Sequence, residues 1–121
     1  MGKKALLVID VQNDFCAGGS LAVADADLIV PVINDLMADK LQFDMIVATQ
    51  DFHPENHGSF ASVNEVDVFT MGVLNDNLQV MWPDHCVQGT NGVRFHDELD
   101  THLFDLIVQK GTDPSVDSYS G

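Results

Sequence analysis

An α/β fold built on a parallel sheet follows from three features of the 121-residue sequence. Short, unbroken apolar runs recur at Ala5-Leu6-Leu7-Val8-Ile9, Met45-Ile46-Val47-Ala48 and Leu106-Ile107-Val108. Runs of this length without alternation mark strands buried on both faces, as parallel strands are. Between the first two lies a one-sided apolar pattern of helical period. Each run also ends on or near a charged residue, Asp10, Asp51 or Lys110. The C-terminal ends of parallel strands are where such sheets place their ligands.

The first strand spans Ala5 to Val11 and is interrupted by Asp10. Two lysines precede it in the manner of a signal peptide, but Asp10 comes too early and no small-residue cleavage site follows. Gln12 to Ser20, with Gly18-Gly19, reads as a loop. Ile29, Val32, Ile33, Leu36 and Met37 then define one face of a helix over about 27–40. Asp25 or Asp27 is its expected cap, and Pro31 is tolerated only because it lies near the first turn. Phe43 to Thr49 forms the second strand and delivers Asp51 and His53 just past its end. Residues 54–96 contain Pro54, Gly58, Pro83, Gly89 and Gly92 and read as one long loop region, of the kind usually kept for function. A short helix around His96 to Leu103 leads into the third strand. Strand, helix, strand, helix, strand gives right-handed βαβ units with helices flanking the sheet.

Composition narrows the function. A length of 121 residues suits one domain able to bury roughly two thirds of its unfolded surface. A net charge of −14 argues against nucleic acid and anionic membranes as partners. No apolar run approaches the ~20 residues needed to cross a bilayer. Cys16 and Cys86 are too few for a disulfide framework and suit a reducing cytoplasm.

Asp51-Phe52-His53 and Trp82-Pro83-Asp84-His85 together supply one carboxylate and two imidazoles on two loops. That donor set suits a divalent metal with open coordination positions. Asp10 and Lys110, if they meet, form a charge pair able to orient a proton transfer, with the aspartate as base. Taken singly, each of these has a plainer role: a loop-bracing aspartate, a solvated lysine, hydrogen-bonded surface histidines. Phe15, Trp82 and Tyr119 are candidates to wall a flat aromatic ligand, although aromatics more often serve the core. The thiols of Cys16 and Cys86 read as small buried hydrophobes rather than nucleophiles.

Longer strings carry a family resemblance. Asp10-Val11-Gln12-Asn13-Asp14-Phe15-Cys16-Ala17-Gly18-Gly19-Ser20-Leu21 and Gln50-Asp51-Phe52-His53-Pro54-Glu55-Asn56-His57-Gly58-Ser59-Phe60-Ala61 resemble the nicotinamidases of the isochorismatase-like cysteine hydrolase superfamily. So do Trp82-Pro83-Asp84-His85-Cys86-Val87, Lys110-Gly111 and Val116-Asp117-Ser118-Tyr119-Ser120. The resemblance implies a Rossmann-like three-layer fold and hydrolysis of nicotinamide to nicotinate and ammonia, within pyridine-nucleotide salvage and NAD metabolism. It matches Asp10 and Lys110 to two members of a catalytic triad, with Asp10 as general base. Asp51, His53 and His85 match ligands of one divalent metal ion, by family habit zinc, iron or manganese. His57 is a ligand in some relatives and supports one in others. Phe15, Leu21, Trp82 and Tyr119 match the substrate pocket.

The family's nucleophilic cysteine follows a fourth strand in a Gly-x-x-Thr-Asp-x-Cys context, and residues 1–121 hold no such segment. The expectation is therefore a single, C-terminally truncated domain carrying three of six strands. Its family strand order, 3-2-1-4-5-6, would leave the first strand as an open edge that invites self-association or a homo-oligomer. The alternatives are a related small-amide amidohydrolase or a non-catalytic metal-binding fragment.

Overall fold

A computed structural model describes residues 2–39 and 41–118. Strands β1 (Ala5–Ile9), β2 (Met45–Asp51) and β5 (Leu106–Lys110) form a parallel sheet in the order β1-β2-β5. A separate antiparallel hairpin consists of β3 (Met71–Leu74) and β4 (Asn77–Val80). One α-helix lies among the described residues, α1 (Ile29–Ala38), which packs Val30 and Met37 on the sheet. Val8, Val11, Ala48 and Leu99 complete the buried cluster beneath it.

The sheet agrees with the sequence reading, and among the described residues β1 lies at its end, hydrogen-bonded to β2 alone. Burial on both faces does not hold throughout. In β1 only Val8 is fully buried, while Leu7 is 59% and Ile9 56% exposed. Helix α1 covers one face, and no described element covers the side chains that alternate onto the other.

Three local expectations change. Helix α1 starts at Ile29, after a 3-10 turn at Ala26–Leu28, and no side chain caps it. Asp25 is left-handed (φ 60°), and the Asp27 carboxylate accepts from the Ala17 N–H and from His96 instead. Pro31 does fall in the first turn, where its missing N–H costs nothing. The stretch 54–96 is not wholly irregular. Asn75 and Asp76 both adopt positive φ (51° and 64°), as the two-residue turn of a hairpin requires. The helix expected over 96–103 shrinks to a 3-10 turn, Thr101–Leu103. Only Leu99 and Leu103 reach the core from that stretch, too little burial to hold so short a helix.

Candidate active site and metal centre

Parallel register assembles the charged centre. β1 pairs Ile9 with Thr49, and β2 pairs Asp51 with Lys110, so the three strand ends converge. Asp10 turns out of β1 with φ 54°, a left-handed conformation that aspartate tolerates better than most residues. The Thr49 hydroxyl donates to its Oδ1 at 2.7 Å. The Lys110 ammonium then bridges Asp10 Oδ2 at 3.0 Å and Asp51 Oδ1 at 2.5 Å, and donates to the Ser118 carbonyl at 3.0 Å. These side chains are almost out of water, with 9% of Lys110, 9% of Asp51 and 16% of Asp10 exposed. Burial draws the lysine pKa down, but the hydrogen bonds and charges of Asp51 and Asp10 outweigh it and hold the ammonium above its usual range. Burial likewise opposes ionisation of Asp51, yet His53 and Lys110 hold its carboxyl below the usual carboxylate range.

The second oxygen of Asp51 faces the histidines. Its Oδ2 lies 3.5 Å from His53 Nε2 and 3.9 Å from His85 Nε2. The chain brings the two imidazoles together by continuing β2: His53 N–H donates to Cys86 O, and Gln88 N–H donates back to His53 O. All three side chains are buried. Each imidazole uses Nδ1 on a backbone carbonyl, Gly111 O at 2.7 Å for His53 and Pro83 O at 2.8 Å for His85. A carbonyl only accepts, so Nδ1 carries the proton and both Nε2 lone pairs are left for an ion. The separations are close to the roughly 3.4 Å that tetrahedral zinc with 2.0–2.2 Å bonds would require. The residues therefore fit a divalent metal. Three protein ligands also leave coordination positions for a substrate or water.

His57 is bonded differently. Its Nδ1 accepts from the Ser59 N–H at 3.1 Å, so Nε2 bears the proton and donates to Val116 O at 3.0 Å. Both ring nitrogens are engaged, and the ring stacks obliquely on His53 at 4.5 Å. Burial and the neighbouring His53 lower its pKa. Burial also lowers the pKa of His85, which favours the neutral form a metal needs. His53 is raised, because Asp51 and Gly111 together outweigh the desolvation of the ring.

At a second cluster the hydrogen bonds run differently. Cys16, Asp27 and His96 also lie close enough to share an ion. There, however, His96 Nδ1 accepts from the Glu98 N–H, so Nε2 carries the proton and donates to Asp27 Oδ2 at 3.1 Å. Burial and then the charge of Asp27 raise the Cys16 thiol, keeping it protonated. Both features describe a proton-bridged brace. Cys86 is fully buried, and burial again pushes its thiol far up, so neither cysteine is an activated nucleophile.

A cleft of about 510 Å³ opens beside this centre. Asp10, Asp51 and His85 lie at it, together with Phe15, Leu21 and Trp82. Tyr119, also assigned to the pocket, lies outside the described residues. Two supports escaped the sequence reading. Gln12 is fully buried; its Nε2 donates to Asp51 O and Val93 O, and its Oε1 accepts the Asp51 N–H, all at 2.8 Å. Asp14 Oδ2 accepts the Cys86 N–H at 2.7 Å, holding a residue with φ 49° next to His85. The signal was the placement of Gln12 directly after Asp10-Val11, but glutamine in a loop has no distinctive pattern.

Gly111 makes a tight demand on the candidate metal centre. Its φ is +67°, and an added Cβ would collide with the His53 ring, lying 2.7 Å from Nδ1. Gly111→Ala is expected to destabilise the fold by more than about 1 kcal/mol and to weaken zinc binding by roughly tenfold or more. Thermal unfolding and a zinc titration check this; an unaltered affinity would show that His53 orientation does not depend on Gly111.

The Isochorismatase domain model matches residues 4–115. Nicotinamidase of Escherichia coli strain K12 is 48% identical over 122 residues, covering 99% of this chain and 57% of that protein. The solved nicotinamidase pyrazinamidase of Acinetobacter baumannii superposes with a TM-score of 0.90 at 47% identity, over 98% of this chain and 56% of its own. Pyrazinamidase of Pyrococcus horikoshii, solved in complex with zinc, gives a TM-score of 0.71 at 34% identity, covering 98% and 57% respectively. This chain thus spans little more than half the length of the proteins it matches.

Proposed function

Because the chain belongs to the isochorismatase family, we propose that its cleft serves the metal-assisted hydrolysis of nicotinamide to nicotinate and ammonia. The observation that carries this reading is the junction at Asp51. One of its oxygens faces two imidazoles with free Nε2 lone pairs, and the other holds the Lys110–Asp10 pair. The similarity to nicotinamidases supports the substrate, and the zinc complex of the Pyrococcus protein supports zinc as the ion.

Asp51, His53 and His85 are the metal ligands in this proposal, and His57 buttresses His53. When bound, the ion supplies a Lewis-acid anchor for the pyridine nitrogen. Phe15 and Trp82 exclude water and hold the ring between apolar surfaces. Asp10 takes the proton from the attacking thiol and passes it to the departing ammonia, while Lys110 pairs with Asp10 and offsets negative charge at the amide. Attack by the thiolate forms a thioester, and water then releases nicotinate. Burial raises the thiols of both Cys16 and Cys86, so neither is the attacking thiol in this reading. The work would lie in cytoplasmic pyridine-nucleotide salvage, which two free thiols suit.

Calorimetry with zinc-loaded chain tests the reading. Nicotinamide is expected to bind only when metal is present, and benzamide, which lacks the ring nitrogen, to bind much more weakly. Ammonia release by residues 1–121 alone should be negligible, because losing the nucleophile of such a catalytic unit costs on the order of 10⁶ in turnover. Equal binding of the two amides would remove the metal anchor from the proposal. Metal binding without any amide binding would favour a metal-binding role instead, which the two buried thiols also accommodate.

A further inference from the structure

Trp82 is the only tryptophan in the sequence. It follows hairpin strand β4 and lies at the cleft with Phe15. Its backbone is fixed on both sides: Trp82 N–H donates to Ser59 O, and Trp82 O accepts the Ala61 N–H, each at 2.8 Å. These bonds place the residue but do not choose the plane of its ring. A partly buried indole also needs an acceptor for its N–H.

Asp117 provides one. Its Oδ2 accepts from Trp82 Nε1 at 3.1 Å and from Gln79 Nε2 at 2.5 Å. Gln79 is itself buried in β4, so one carboxylate oxygen joins the hairpin to the segment that follows β5. The next residue, Ser118, accepts from Lys110 through its carbonyl. Asp117 also lies at the cleft. On the other side, Phe69 meets the indole edge to face, with ring centroids 6.1 Å apart at 87°.

We propose that Asp117 is a positioning residue that sets the ring plane of Trp82 as one wall of the cleft and so determines its affinity for flat heteroaromatic amides. The choice of ligand rests on the function proposed above; the orientation of the indole does not. A charge-assisted bond of this kind is the stronger class of hydrogen bond, and it restrains a side chain with only two rotatable bonds. Asp117 hydrogen-bonds Trp82 and Gln79, while its charge also acts on His53, His57 and His85. Asp117→Asn, which keeps the acceptor and removes the charge, separates the two effects.

A single tryptophan makes this testable in the unmodified chain. In ¹⁵N-labelled, zinc-loaded protein one indole N–H signal is expected, and it should exchange with solvent far more slowly than free indole. Asp117→Ala should red-shift the emission of Trp82, increase its quenching by acrylamide and weaken nicotinamide binding roughly tenfold or more. Asp117→Asn keeps an acceptor oxygen and should restore both the emission and most of the affinity. Fast indole exchange in the parent, or unchanged emission in a folded Asp117→Ala form, overturns the proposal. Altered emission with unaltered nicotinamide affinity overturns its second half. If the parent binds no nicotinamide, the function proposed above fails, while exchange and emission still decide whether Asp117 orients the indole. If the alanine form does not fold, the exchange rate in the parent decides.

Discussion

Replacing Asp51 by alanine is expected to weaken zinc binding by more than the roughly 100-fold that loss of an outer hydrogen-bond partner costs. The Asp51 carboxylate faces both His53 and His85, and its two oxygens are divided between tasks, Oδ2 toward the imidazoles and Oδ1 on Lys110. Alanine removes the charged ligand and leaves two neutral imidazoles, a poor site for a dication. Asp10→Ala is the matched comparison. It also deletes a carboxylate beside Lys110, yet Asp10 bonds Thr49 and Lys110 and neither histidine. Zinc titration should therefore separate the two variants, with the Asp10 form close to the parent. If both lose zinc alike, or neither does, Asp51 is not the ligand.

Lys110→Met should lower the unfolding temperature of the metal-free protein by about 10 °C, corresponding to about 3 kcal/mol. Methionine keeps the length of the stem and removes the ammonium, leaving two nearly buried carboxylates facing each other without a cation. Breaking one partner of a buried ionic group costs more than the group's net contribution, because the remaining charges stay desolvated. Alkali should act in the same direction. The lysine pKa is raised in the fold, so its stabilisation is complete below its unfolded value of about 10.4 and disappears as pH climbs through the raised one. Zinc should narrow the gap between variant and parent by neutralising Asp51. A shift below about 2 °C in the metal-free form would mean that water already solvates the pair.

The convergence of Asp10, Asp51 and Lys110 was legible because register in a parallel sheet is a property of the strands themselves. Three apolar runs ending at Asp10, Asp51 and Lys110 have few ways to pair, and the observed pairing brings these ends together. His53 and His85 were readable as donors beside them. The supports were not. Gln12, Asp14 and Asp117 act across 39, 72 and 35 residues on strand backbone, loop backbone and an indole. No periodicity encodes such contacts. The hairpin β3–β4 was hidden for another reason: its turn is Asn75-Asp76, without the glycine that usually advertises positive φ at both positions. The expected caps of α1 failed because Asp27 had a stronger competing use, bracing Ala17 and His96.

The parallel sheet also governs the order of events during folding. Thr49 reaches Asp10 across 39 residues of chain, and Lys110 reaches Asp51 across 59. Each closure must be completed before its hydrogen bonds return any free energy. A topology dominated by such distant pairings folds slowly compared with one built from local contacts. Helix α1 and the hairpin turn at Asn75-Asp76 are local and able to form early. The charged centre draws on residues as far apart as Asp10 and Lys110 and is assembled only when β5 docks. On the ribosome, the ionic bridge from Asp10 through Lys110 to Asp51 therefore forms only after Lys110 has been synthesised.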